Sequence, residues 1–212
     1  IPTMEEGTTM QQRINNTLGR IMITEGDASW DYGFLQSLEE QLNQRGTLSP
    51  RQQEVLQQIE GRYSDEALQS RASWAETWSE DQDTKFNIAL QYYRKTGYYG
   101  NIVYKYLTTA GERCTGTTPS EKEYNKLVLN KYAAGVIRNI QSESKFPVGG
   151  TAIFRTGART NKNKPCVILK HGSAEHVNSH AKGAKPIQVL PIGSSEPCWT
   201  EERWLKKAKK KK

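Results

Sequence analysis

The 212-residue sequence predicts an α+β protein: an all-helical N-terminal domain, then a small, bent antiparallel β-barrel or sheet, then a disordered basic tail. Three observations predict it. Apolar residues recur at helical spacing from Trp30 to Ile140, between Ser, Pro and Gly start and stop signals. At Phe146-Pro-Val-Gly-Gly150 the period changes to short β-type runs joined by Gly- and Asn-rich turns. The last seven residues contain six lysines. The expected boundaries are a flexible arm over 1–29, a helical domain over 30–144, a basic β-barrel over 145–205 and a lysine tail over 206–212.

Residues 1–29 are rich in Thr, Gln, Gly and Asn without sustained periodicity, hence the arm. Phe34, Leu35, Leu38 and Leu42 then form a helical stripe that Gly46 can stop. Ser49-Pro50-Arg51-Gln52 combines an N-cap, Pro at the first helical position and a capping-box Gln. Ser64 can cap a third helix and Ser79 to Gln82 forms another capping box. Tyr98 to Leu107 reads as a short helix and Ala110 to Thr117 as a loop. Thr118 to Glu121 is taken to open the longest helix, which runs on through Ile140. Strands are expected at Thr151 to Arg155, Cys166 to Lys170, Ile187 to Pro191 and Cys198 to Thr200. A piece this small is expected to rest on the helix before it.

The composition excludes several classes. Mean hydropathy is -0.79 and no apolar run approaches the ~18 residues of a transmembrane helix, so no membrane partner is predicted. Three widely spaced cysteines argue against a disulfide framework and for a reducing, cytoplasmic setting. Phosphate-loop, dinucleotide, nucleophile-elbow and zincin motifs are missing, so no catalytic residue and no cofactor is predicted.

Charge is the informative property. Net charge is +7, yet residues 1–144 carry 15 basic and 19 acidic side chains whereas residues 145–212 carry 15 and 4. An acidic body joined to a basic end is the asymmetry of a polyanion binder. The excess is not confined to the tail, because residues 145–205 alone are at +5. The expected phosphate-binding residues are Arg155, Arg159, Lys162, Lys164, Lys170, Lys182 and Lys185 on loops and strand ends, with Lys206, Lys207, Lys209 and Lys210 of the tail.

Three further groups are candidates. Tyr98, Tyr99 and Tyr104 lie among Arg94, Lys95 and Lys105, a pattern that could stack unpaired bases, although tyrosine at this spacing also builds half-buried cores. Arg51 and Gln52 begin the second helix of a helix–turn–helix-like hairpin and are of types that read base edges. Trp30 to Tyr63 is net -2, however, which favours a packing or protein-binding hairpin. Cys166, His171, His176 and His180 are candidate metal ligands, but they lack knuckle spacing.

Arg45-Gly46-Thr47-Leu48-Ser49-Pro50-Arg51-Gln52 resembles an R-G-x-L-S-x-x-Q helical hairpin of uncharacterised phage-encoded proteins. Phe146-Pro-Val-Gly-Gly through Trp199-Thr-Glu-Glu-Arg-Trp-Leu205 is similar to SH3-like or KOW-type small barrels, without the full KOW signature. These resemblances imply an SH3-like barrel and a phage-type accessory factor, and supply no catalytic residue. The expected function is non-catalytic binding of DNA or RNA in a phage-like replication, recombination or transcription system. The alternatives are an adaptor or inhibitor acting on a host or virion protein through the helical domain, and a small metal-dependent nuclease using the histidine loop.

Overall fold

The computed structural model describes residues 8–208 and divides into two compact units between Glu76 and Thr77. The first unit contains α1 (Met10–Thr24), α2 (Trp30–Arg45), α3 (Pro50–Arg62) and α4 (Asp65–Glu76). The second contains α5 (Glu80–Thr96), α6 (Gly100–Tyr106), α7 (Glu121–Val128) and α8 (Lys131–Gln141). It continues with β1 (Thr151–Phe154), β2 (Pro165–His171), β3 (Pro186–Pro191), β4 (Cys198–Glu201) and β5 (Leu205–Lys207). The boundary expected at 144/145 falls inside this second unit, which groups four helices with the strands.

In the first unit, the expected flexible arm is largely a helix. Thr9 and Gln12 close a capping box at the start of α1, and Ile14, Thr17 and Ile21 are buried one turn or two apart. Ile14 and Ile21 join Leu35, Leu38, Leu48, Leu56, Ile59 and Tyr63 in one core. Arg13 holds both carboxylate oxygens of Glu60 on α3, at 2.9 and 2.7 Å. The hairpin between α2 and α3 forms as its signals predict. Gly46 ends α2 at φ 72°, where a side chain would be strained, and Ser49 caps α3 with Gln52 returning the bond.

In the second unit, α5 is the central element, burying seven residues from Phe86 to Tyr93. Trp78, Phe86, Tyr106 and Tyr124 meet edge to face around its first turns. The single long helix expected from Thr118 is two. Ser120, not Thr118, caps α7 with Glu123, and Asn130 breaks the run. The Asn130 amide donates to the Lys126 and Leu127 carbonyls, while its Oδ1 accepts from the Tyr132 and Ala133 N–H groups. One side chain therefore ends α7 and starts α8.

The strands form one antiparallel sheet in the order β4-β3-β2-β1-β5. A 3₁₀ turn, Glu202–Trp204, joins the two edge strands β4 and β5. Strands β1 to β4 thus follow one another as an antiparallel meander and β5 returns to pair with β1, and the pairings described are those of an open sheet. Phe146, Phe154, Cys166, Ile168, Ile187, Val189 and Leu205 make its core. The tail assignment is corrected at its start: Lys206 and Lys207 lie in β5, opposite Ile153 and Ala152 of β1. Lys209 and Lys210 lie outside the described residues.

Ile21 and Ile23 separate a packed α1 from a loose arm. Ile21 is fully buried and Ile23 is 87% exposed. Ile21→Ala is expected to cost about 2–5 kcal/mol in denaturant unfolding of the full chain. Ile23→Ala should change stability by less than about 0.5 kcal/mol.

Candidate nucleic-acid interface

The loop from Gly172 to Lys185, which contains two of the three histidines, docks on the helices of the second unit. Lys95 at the end of α5 donates to the Glu175 and Val177 carbonyls at 2.5 and 2.9 Å. Asn139 of α8 donates to the carbonyls of Ser179 and Ala181. Gly135 lets the loop reach the helix: a Cβ there would lie 2.4 Å from the His180 carbonyl oxygen. The Lys185 ammonium then enters the open end of α8 and donates to the carbonyls of Asn139, Ile140 and Ser142, at 3.4, 2.9 and 2.8 Å.

Those carbonyls are the ones a helix C-terminus leaves unpaired, where its partial negative charge collects. Lys185 is 7% exposed. Its expected role in phosphate contact is therefore corrected, because its three donors are spent on the helix. Burial pushes its ammonium below the ordinary lysine range, and the Glu202 carboxylate opposes that push. Glu202 is buried too. It accepts from the Lys145 N–H at 2.8 Å and the Ser144 hydroxyl at 3.0 Å, fixing the chain between α8 and β1.

Above this buried layer lies a groove of about 400 Å³. Arg138 and Lys145 approach it from the end of α8, Arg155 from the end of β1, Lys182 from the docked loop, and Lys206 and Lys207 from β5. All six are exposed, and none makes an ion pair among the described residues. The Arg155 Nε–H is held by the Leu205 carbonyl at 3.0 Å. Of the two acids at the groove, Glu202 is engaged below and Glu143 is exposed.

Only part of the predicted basic set converges here. Arg159 instead borders a separate cavity of about 560 Å³, with Trp199, Trp204 and Asn178 among its walls. Lys162 and Lys164 sit on the exposed β1–β2 turn, and Lys170 is exposed on β2. Arg138 was missed by sequence reasoning, whereas Lys145 already stood with Arg155 in the acid-free segment from Lys145 to Ala174. A cation in the last turn of the helix that leads into the β region was the available signal.

The other candidates are redistributed. Gln52 is committed to the Ser49 cap and to Gln41, at 2.6 Å, and the exposed Arg51 pairs with Glu54 one turn on. Tyr98 and Tyr99 border a cavity with Tyr92, Tyr93 and Tyr132, whereas Tyr104 is exposed on α6 outside it. The candidate metal ligands do not converge. Cys166 is in the sheet core, His171 Nε2 meets the Phe146 carbonyl at 2.7 Å, and His180 lies edge-on to Tyr132. Among the described residues no three His, Cys, Asp or Glu side chains form a metal-binding group.

His176 stacks on Trp199 with ring centroids 3.9 Å apart. Its Nδ1 accepts from the Ser173 N–H at 3.1 Å, which places the neutral ring's proton on Nε2. Burial holds its pKa below the ordinary 6.5, reinforced by Lys170 and Lys95 and opposed by Glu175.

Two predictions follow from these contacts. Lys185→Met should destabilise the full chain by about 3 kcal/mol in denaturant unfolding, since three carbonyls lose a charged donor. Lys182→Met, at an exposed lysine of the same loop, should change it by less than about 0.5 kcal/mol. The neutral His176 ring contributes stability that is fully present above pH 6.5 and is lost as pH falls through its lower folded value. Thermal unfolding should accordingly show a smaller loss between pH 7.5 and 5 in His176→Phe, which keeps the stacking and removes the titration.

No protein-family model, curated protein or solved structure matches the chain, so the functional reading rests on its own residues.

Proposed function

We propose that this protein is a non-catalytic nucleic-acid-binding accessory factor that holds a phosphate backbone in the basic groove of its second unit. The observation that carries the reading is the convergence of Arg138, Lys145, Arg155, Lys182, Lys206 and Lys207 without ion-pair partners among the described residues. Like charges gathered this way repel one another, and a polyanion relieves that repulsion while releasing its own counterions. Lys185 favours the arrangement from beneath, because the α8 carbonyls it satisfies would otherwise face the phosphates with negative charge.

The biological setting is a phage-like replication, recombination or transcription system in the cytoplasm. The R-G-x-L-S-x-x-Q hairpin supports the phage-type part, and three free cysteines support a reducing compartment. Among the described residues no helix is long and apolar enough to cross a membrane. A protein partner for the first unit is favoured by Met22, Ile23 and Trp30, which leave large apolar surfaces in water.

Fluorescence anisotropy with labelled oligonucleotides across a salt series tests the proposal. The full chain should bind with an affinity that falls steeply with salt. Lys145→Gln, Lys182→Gln and Lys206→Gln together should weaken binding and flatten the logarithmic salt slope by about 2. The same change at Lys162, Lys164 and Lys170 should have a smaller effect. Absence of binding at low salt would overturn the reading.

A further inference from the structure

Tyr92, Tyr93, Tyr98, Tyr99 and Tyr132 enclose a cavity of about 340 Å³ whose lining is entirely tyrosine. The inner wall is held by ring contacts and hydrogen bonds. Tyr93 meets Tyr92 and Tyr99 edge to face, at 5.2 and 4.8 Å between centroids. Its hydroxyl donates to Asn130 Oδ1 at 2.9 Å, and the Tyr92 hydroxyl lies 3.4 Å from His180 Nδ1. The break that separates α7 from α8 and the loop that docks on α8 therefore both hold this wall in place.

The outer wall is open. Tyr98 is 69% exposed and Tyr132 is 43% exposed. Tyr99 adopts the left-handed conformation, φ 57° and ψ 31°, which a bulky aromatic rarely takes and which costs backbone energy. Its ring nonetheless contributes to the cavity. The exposed ammonium groups of Lys126 and Lys131 lie 5.3 and 5.0 Å from the Tyr99 and Tyr132 ring centroids. With cations already on two of the rings, a cationic ligand is disfavoured. A flat aromatic group that carries negative charge fits both the walls and the rim.

We infer that this cavity takes an unpaired nucleobase, stacked against tyrosine, with Lys126 and Lys131 meeting the flanking phosphates. The inference rests on the nucleic-acid reading and specifies its substrate class as a single strand. Tyr132 lies in the first turn of α8 and Ser142, at the groove, just past its last. At 1.5 Å per residue they are about 15 Å apart along the helix. That distance spans roughly four stacked nucleotides of one strand. One strand running along α8 engages both sites, whereas a base held in a duplex cannot enter the cavity.

The test is binding of the full chain to a 20-residue oligodeoxyuridylate, a 20-residue oligouridylate and a duplex of equal length, the strands also prepared with one 2-aminopurine. Single strands should bind more tightly than the duplex, and 2-aminopurine emission should be quenched on binding. The relative affinity of the two single strands identifies deoxyribose or ribose as the source of the base. Tyr98→Ala with Tyr132→Ala, both at exposed rings, should weaken single-strand binding about 10- to 100-fold. It should abolish the quenching and leave duplex affinity and the salt slope unchanged. Tyr104→Ala, outside the cavity, should change nothing. If the double variant binds single strands within twofold of the parent while the groove variants do not bind, the cavity assignment is overturned and the nucleic-acid reading stands. If the parent binds neither strand nor duplex at low salt, both are overturned.

Discussion

A buried ammonium at the end of a helix is the constraint on which the second unit depends. Lys185 reaches the C-terminal carbonyls of α8 only because the loop before it lies against that helix, and the loop can lie there only because residue 135 has no side chain. Lys95, Asn139 and Lys185 all donate across the same seam. Each removes a backbone carbonyl from the set that would otherwise be left without a donor. The helices and the sheet of this unit are consequently joined by directional polar contacts as well as by apolar burial, and both ends of the loop are fixed.

That seam has an electrostatic consequence. The C-terminal end of a helix is a poor place for a phosphate, since its partial charge is negative. Here a buried lysine offsets that charge, while six exposed cations from α8, the strand ends and the docked loop form the rim above it. Burial separates two roles within one residue type: Lys185 holds the fold together, and Lys182, three positions earlier on the same loop, remains in solvent. At the other end of α8 the same loop supports the tyrosine cavity through His180.

Local signals were legible wherever a single turn of chain contains both the donor and the acceptor. The Ser49 and Ser79 capping boxes, the Gly46 stop and four of the five strands could be read from residue type and spacing. The helix over 10–24 was harder. Its Thr9-to-Gln12 box is present, but only Ile14, Leu18 and Ile21 mark its inner face among many polar residues. The break at Asn130 was hidden because the apolar pattern runs in phase across it, and only the bonds of the amide expose it. The candidate site was legible in its charge and not in its membership. Arg138 joins Lys206 because two elements far apart in sequence are docked, which no local pattern records. Lys185 has the composition of a binding residue and the environment of a structural one.

Occupation of the groove at the end of α8 by a polyanion is the proposal on which the function turns. Its most direct measurement is residue-resolved lysine acetylation of the full chain, with and without a saturating oligonucleotide. Lys145, Lys182, Lys206 and Lys207 should become protected, while Lys162, Lys164 and Lys170 should keep their reactivity. Uniform protection of all seven, or protection of the second group alone, would contradict it.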